Sequence, residues 1–148
     1  MKISTKGRYG LRIVMDVAMN GNDKPRMIKD IAKSQQISEK YISRLIIDLR
    51  QGGILESIRG AKGGYKLSRT PESITVLEIL EIMEGRVAIV ECLDAPVPCI
   101  RSSKCATKEI WNSVNEEIRN TLSKITLANI MLKQQQLDSE NGILDYCI

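Results

Sequence analysis

The chain of 148 residues contains no histidine. That removes the side chain that most often serves as a general base near neutral pH, and with it the imidazole metal ligand. No nucleophile–base pair is recognisable, and Gly60-Ala61-Lys62-Gly63-Gly64 has neither the spacing nor the strand-to-helix setting of a phosphate loop. An enzyme is not expected. No stretch approaches the roughly 18–20 apolar residues of a membrane span. Met1 to Arg8 also lacks the apolar segment of a secretory signal, so a cytoplasmic protein is expected. What the chain does have is 43% apolar residues, enough for a folded core.

The net charge of +4 is unevenly spread. Residues 1–70 carry fifteen Lys and Arg against six Asp and Glu, a surplus of +9, and residues 71–148 carry seven against twelve, a balance of −5. A basic half joined to an acidic half is the footprint of a nucleic-acid-binding segment attached to one with another task. Phosphate neutralisation releases condensed counterions, so binding of this kind should fall steeply with salt.

The most informative stretch is 38–67. Ser38 can cap a helix whose first turn would otherwise leave its amides unpaired. Ile42, Leu45, Ile46 and Leu49 follow at helical spacing, which turns Lys40, Ser43, Arg44 and Gln51 outward. Gly52-Gly53 ends the helix. Two strands are expected at 54–58 and 65–67, around a turn carrying Arg59 and Lys62. Upstream, a helix is expected from about Tyr9 to Met19, then a turn at 20–25 and a short helix from Met27 to Gln35. Two helices so closely joined form a helix-turn-helix, whose second helix enters the major groove. Arg44 can fork onto guanine O6 and N7 with Ser43 and Lys40 nearby, while Arg59 and Lys62 suit a backbone or minor-groove contact. Tyr41 and Gly60 complete the expected DNA-facing set.

Beyond the linker at 68–73, Thr75 should cap a helix that runs to about Glu84 and ends at Gly85. Residues 86–106 read as a loop. Thr107 is expected to cap a long helix with Trp111, Val114, Ile118, Leu122 and Ile125 along one face, a stripe best buried by a second subunit. A short helix at about 126–136 and a mobile tail at 137–148 should follow. The expected class is mainly α with a small β-hairpin: a winged helix-turn-helix (1–70), a linking helix and cysteine loop (71–106), and a dimerisation helix with its successor (107–136).

Cys92, Cys99 and Cys105 lie within the loop, and Cys147 stands alone near the end. Disulfides are not expected in a reducing compartment. Thiolates suit zinc, an iron–sulfur cluster or direct redox sensing, and the spacing alone leaves the three open. Arg101 and Lys104 are expected to favour the deprotonated sulfurs.

The opening Met1-Lys2-Ile3-Ser4-Thr5-Lys6-Gly7-Arg8-Tyr9-Gly10-Leu11 and the segment Ile58-Arg59-Gly60-Ala61-Lys62-Gly63-Gly64-Tyr65-Lys66-Leu67 resemble a family of bacterial winged-helix regulators. It includes the iron–sulfur cluster regulator IscR, the nitric-oxide-sensing repressor NsrR and the cysteine-metabolism repressor CymR. The resemblance spans about residues 1–135 and is nearest to the cluster regulator. It implies a homodimer with crossing long helices, palindromic promoter DNA as ligand, and a two-iron, two-sulfur cluster on Cys92, Cys99 and Cys105. Two departures stand out. Lys108 replaces the histidine found three residues after the third cysteine, and Arg8 stands near where the nitric-oxide sensor has an acidic ligand. The fourth ligand is thereby unassigned, with Glu109, Glu91, Cys147 or a residue of the partner subunit as candidates. Ser43-Arg44 also replaces an acidic–amide pair, so the DNA preference should differ. The leading reading is a regulator that senses cluster status and controls cluster-assembly or sulfur and iron metabolism genes. The alternatives are a cluster-free repressor of cysteine metabolism, responsive to thiols or to a protein partner from sulfur metabolism, and a regulator with structural zinc.

Overall fold

The computed structural model describes residues 3–21, 24–94 and 99–140. Its elements follow the order α1 (Thr5–Asn20), α2 (Ile28–Gln35), α3 (Glu39–Gln51), β1 (Leu55–Ile58), β2 (Gly64–Leu67), α4 (Val76–Glu84), α5 (Ala106–Lys124) and α6 (Leu127–Glu140). This is a winged helix-turn-helix with further helices after it, as the sequence predicts.

Helix α1 begins four residues earlier than expected. The Ser4 hydroxyl accepts from the Lys6 and Gly7 amides and closes the first turn. The Ser4 amide and hydroxyl both donate to Glu84 Oε1, at 2.9 and 3.2 Å, which sets a carboxylate beside the amide end of the helix. A Cβ on Gly7 would overlap that carboxylate, and one on Gly10 would stand 2.5 Å from Met83 Cγ. The glycines of the opening motif are thus the places where α4 lies against α1.

Helices α2 and α3 are joined through Gln36, whose left-handed φ of 56° lets its amide bond back to Ala32. Ile42, Leu45, Ile46 and Leu49 of α3 are buried with Ile13, Val14 and Val17 of α1, Ile31 of α2 and Ile54. The same core takes in Ile74, Ile79 and Met83 around α4 and Leu127 at the start of α6. Leu127 is placed there by backbone pairing: its amide donates to Ile74 O at 2.8 Å, and the Val76 amide donates to Ile125 O at 2.9 Å.

The hairpin is antiparallel, with Leu55 opposite Leu67 and Ile58 opposite Gly64. It is fastened to the turn before α2, where Arg26 and Tyr65 exchange backbone bonds of 2.8 and 2.9 Å. At Gly64 a Cβ would strike the Arg26 carbonyl, so only glycine permits the approach. Arg26 then donates from Nε to the buried Asp16 at 2.7 Å, and Ser34 and Gln35 donate to the same carboxylate. One buried acid therefore holds α1, the turn, α2 and the wing in register.

Three expectations need correction. The cap position of α5 is Cys105, not Thr107: the Lys108 amide bonds to the Cys105 carbonyl, so the ladder starts earlier and Thr107 lies in the first turn. Helix α6 extends to Glu140, so residues 137–140 are helical and not tail. The stripe on α5 is divided, because Ile118 and Leu122 pack with Val76, Leu80 and Val87, whereas Trp111 and Val114 remain 43% exposed. Residues 141–148, including Cys147, lie outside the described residues.

Replacing Asp16 with alanine leaves Arg26 and two amide or hydroxyl donors without their acceptor. We expect Asp16→Ala to lower unfolding stability by about 1.5–3 kcal/mol, read from the midpoint of a urea titration. An unchanged midpoint would show that the carboxylate is not the fastening described.

Candidate nucleic-acid interface and cysteine loop

Helix α3 is capped as expected, the Tyr41 amide donating to Ser38 Oγ at 3.3 Å. Its outer face carries Lys40 and Arg44, both exposed. Neither has an ion-pair or hydrogen-bond partner among the described residues. Arg59, Gly60 and Lys62 are likewise exposed at the wing tip, where the Gly63 amide closes the turn onto Gly60 O at 3.0 Å. Gly60 has φ 118°, which favours glycine, and nothing surrounds the position its Cβ would take.

Two members of the expected set have other engagements. The Ser43 hydroxyl donates to Glu39 O at 2.7 Å, so its proton is committed to its own helix. Tyr41 is half-buried, its ring edge-on to Tyr9 with centroids 6.0 Å apart. Tyr9 in turn lies beneath the Arg12 guanidinium at 5.3 Å. Sequence reasoning overlooked Ile47, which is 51% exposed on the outer face of α3. The signal was available: 47 falls between 44 and 51 on the same side of the helix, opposite the apolar stripe.

The cysteines are carried on the segment between α4 and α5. Cys92 and Cys99 are exposed and Cys105 is half-buried. Among the described residues no group of three Cys, Asp or Glu is gathered closely enough to hold a metal ion, and Glu91 and Glu109 do not complete one. The donor chemistry fits a cluster, since such centres are held by cysteine thiolates, of which this segment supplies three of the usual four ligands. The segment must draw together for the sulfurs to share one. The Cys105 thiol lies below its ordinary value, first because the Thr107 hydroxyl stands 3.1 Å from the sulfur, then through the Lys108 amide and, more weakly, the Lys108 charge. Lys108, not Arg101 or Lys104, is the cation that acts on this thiol.

The approach to the loop is held from α5. Asn115, 2% exposed, accepts from the Ile89 amide at 3.0 Å and donates to Val87 O at 3.3 Å. The Val87 amide donates to Glu81 Oε1 at 3.3 Å, and Arg119 pairs with that carboxylate. The chain just ahead of Cys92 is thereby tied to both α4 and α5.

A helix-turn-helix with a fastened wing, cations left unneutralised on its reading face, and a thiol-bearing segment on a neighbouring helix pair defines a winged-helix regulator of transcription. Residues 3–133 match the family described as Rrf2, iron-dependent transcriptional regulator. The chain is 40% identical over 131 residues to protein rrf2 of Nitratidesulfovibrio vulgaris, covering 88% of this chain and 87% of that protein. Among solved structures it is similar to CymR, the global cysteine regulator of B. subtilis, with a TM-score of 0.76 and 36% identity over 90% of this chain and 98% of that one. It is also similar to T. potens IscR, with a TM-score of 0.76 and 34% identity over 93% and 90% of the two chains. The chain belongs to the Rrf2 family of transcriptional regulators. Among the described residues no helix is long and apolar enough to cross a membrane.

Two outcomes are expected. Arg44→Ala should weaken discrimination at one base position of each half-site by about 1–3 kcal/mol. An operator preference identical to wild type, measured by competition binding, would refute that assignment. Thr107→Val removes the hydroxyl that favours the Cys105 thiolate and so raises the thiol pKa. In metal-free protein retaining only Cys105, iodoacetamide alkylation should be slower than with Thr107 below the lower pKa and equal above both. Equal rates throughout would discount the contact.

Proposed function

We propose that the chain acts in the cytoplasm as a homodimer that binds palindromic promoter DNA through α3 and the wing. Its occupancy is set by an iron–sulfur cluster, two-iron and two-sulfur in type, on Cys92, Cys99 and Cys105, and its targets are genes of cluster assembly or of sulfur and iron metabolism. The observation that carries this reading is the tether from the cysteine segment to α4. Asn115 and Glu81 hold residues 87–89, while α4 itself bears on α1 through Met83 and on α3 through Ile82. Support for the dimer comes from the first half of α5, where Ile110, Trp111 and Val114 are 59%, 43% and 43% exposed. Apolar exposure of that extent on one helix favours burial against another chain.

When bound, a cluster would supply a centre responsive to oxidants and to iron and sulfide supply. The protein's part is to present three thiols, to favour the thiolate at Cys105 through Thr107 and Lys108, and to tie the segment's position to α4. Coupling between two such sites is commonly about 1–3 kcal/mol.

A second reading rests on the separation of the thiols and the lowered Cys105 pKa. In it the same segment is a cluster-free sensor, read by oxidation or by a protein partner from sulfur metabolism, in a repressor of cysteine metabolism.

Iron, acid-labile sulfide and zinc in protein purified without oxygen separate the readings. Near-equal iron and sulfide, with visible charge-transfer bands that Cys99→Ala abolishes, is the expected result. Zinc without sulfide would make the segment scaffolding, and metal-free protein that still binds DNA would favour the thiol sensor.

A further inference from the structure

Helix α3 buries Ile42, Leu45, Ile46 and Leu49 almost completely. With 3.6 residues per turn, Lys40, Arg44, Ile47 and Gln51 fall within about 60° of arc on the opposite side. Three of these four are polar or charged, and the fourth is a branched aliphatic side chain left 51% exposed. Ile47 belongs to neither apolar cluster of the described residues. A β-branched residue at an exposed helical position also sacrifices helix propensity. Neither local structure nor packing accounts for it.

Its surroundings identify what would. Arg44 stands one turn away on the same face with no partner among the described residues, and Lys40 extends the cationic face. That side suits a polyanion and not an apolar protein partner. In the major groove the bases present donors, acceptors and a single apolar group, the C5 methyl of thymine. We propose that Ile47 is a specificity-determining residue that contacts a thymine methyl in each half-site. Residues 44 and 47 differ by about 4.5 Å along the helix axis. With base pairs stacked about 3.4 Å apart, the thymine lies about one or two base pairs from the base that Arg44 reads. Ser43 contributes little there, because its hydroxyl proton is held by Glu39 O.

The proposal rests on the reading that α3 binds DNA, and its test separates the two. A preferred duplex is first selected by the wild-type protein from a randomised library. Each thymine of its half-site is then replaced in turn by deoxyuridine, which removes only the methyl group. One position is expected to weaken wild-type binding by about 3- to 10-fold, the loss typical of one buried methyl or methylene group. Ile47→Ala should lose a similar factor on the thymine duplex and nothing further when that thymine becomes deoxyuridine, with a thermal midpoint no lower than that of wild type. If the two losses multiply, or no position responds, Ile47 does not read a methyl group and the DNA reading stands. If Ile47→Ala weakens all duplexes equally, the side chain only fills space against the backbone and the proposal fails. Should wild type select no sequence at all, both readings fall.

Discussion

Everything in this molecule depends on the close seating of α4. Met83 occupies the space above Gly10 of α1, Ile82 the space beside Gly52 at the end of α3, and Glu84 the N-terminal end of α1 at Ser4 and Gly7. A methyl group at Gly10 would displace the buried Met83 from its seat, because interiors filled to this density have no slack to absorb it, and one at Gly52 would push aside the half-buried Ile82. Met83 and Ile79 are 2% and 0% exposed, so α4 is part of the core under the DNA-binding helices and not an appendage to it. The buried Asp16 performs the matching task at the other end, holding the wing through Arg26 while α4 holds the helices.

This arrangement bears on how a signal from the cysteine segment could reach DNA. A ligand or modification shifts an equilibrium only by what it contributes differently to two states. Here a short chain of contacts runs from the cysteine segment to α4. Asn115 holds the backbone at 87 and 89, Glu81 joins Val87 to Arg119, and Glu81 lies on the same helix as Ile82 and Met83. Drawing three thiols together would pull on residues 87–89. Such a pull would act on the Asn115 bonds and, through Glu81, on α4, which bears on both α1 and α3. Packing this dense would make any such response discrete rather than graded.

How much of this was legible in the sequence follows from where each signal resides. The α3 stripe, the Ser38 and Thr75 caps and the hairpin glycines are local signals, and each appears where it was expected. Helix α1 starts ahead of the expected point although its cap, Ser4, is a local signal like Ser38: residues 5–8 are polar, basic or glycine and carry no apolar stripe to mark a helix, and Glu84, eighty residues away, adds to the support of the cap. Thr107 looks like a cap because threonine prefers that position, yet its hydroxyl is engaged by the Cys105 sulfur two residues earlier. Spacing placed three cysteines in one loop but carried no information on whether they meet, since loop geometry is not periodic. Ile47 carries no signal in the apolar pattern, and its meaning lies in failing to fit it.

The charge asymmetry acquires a sharper meaning once individual cations are followed. Lys6 pairs with Asp48 at 2.8 Å, Arg26 with Asp16, Lys66 with Glu56 at 2.9 Å, and Arg69 with Glu78, while Arg12 is held by Gln35. These cations join α1 to α3, the turn to α1, one strand to the other, the post-hairpin segment to α4, and α1 to α2. Four of these charges are already answered by carboxylates within the fold, whereas Arg12 is held in place by neutral oxygens and keeps its charge. Lys40, Arg44, Arg59 and Lys62 have no such answer among the described residues and lie on the outer face of α3 or at the wing tip, while Lys24, Lys29, Lys33 and Arg50 are likewise without a side-chain partner. Counterion release rewards a cation only if a phosphate, and not a neighbouring carboxylate, neutralises it. The surplus of positive charge in the first seventy residues therefore overstates the number of cations available to DNA, and four of those that remain are carried by the outer face of α3 and the wing tip.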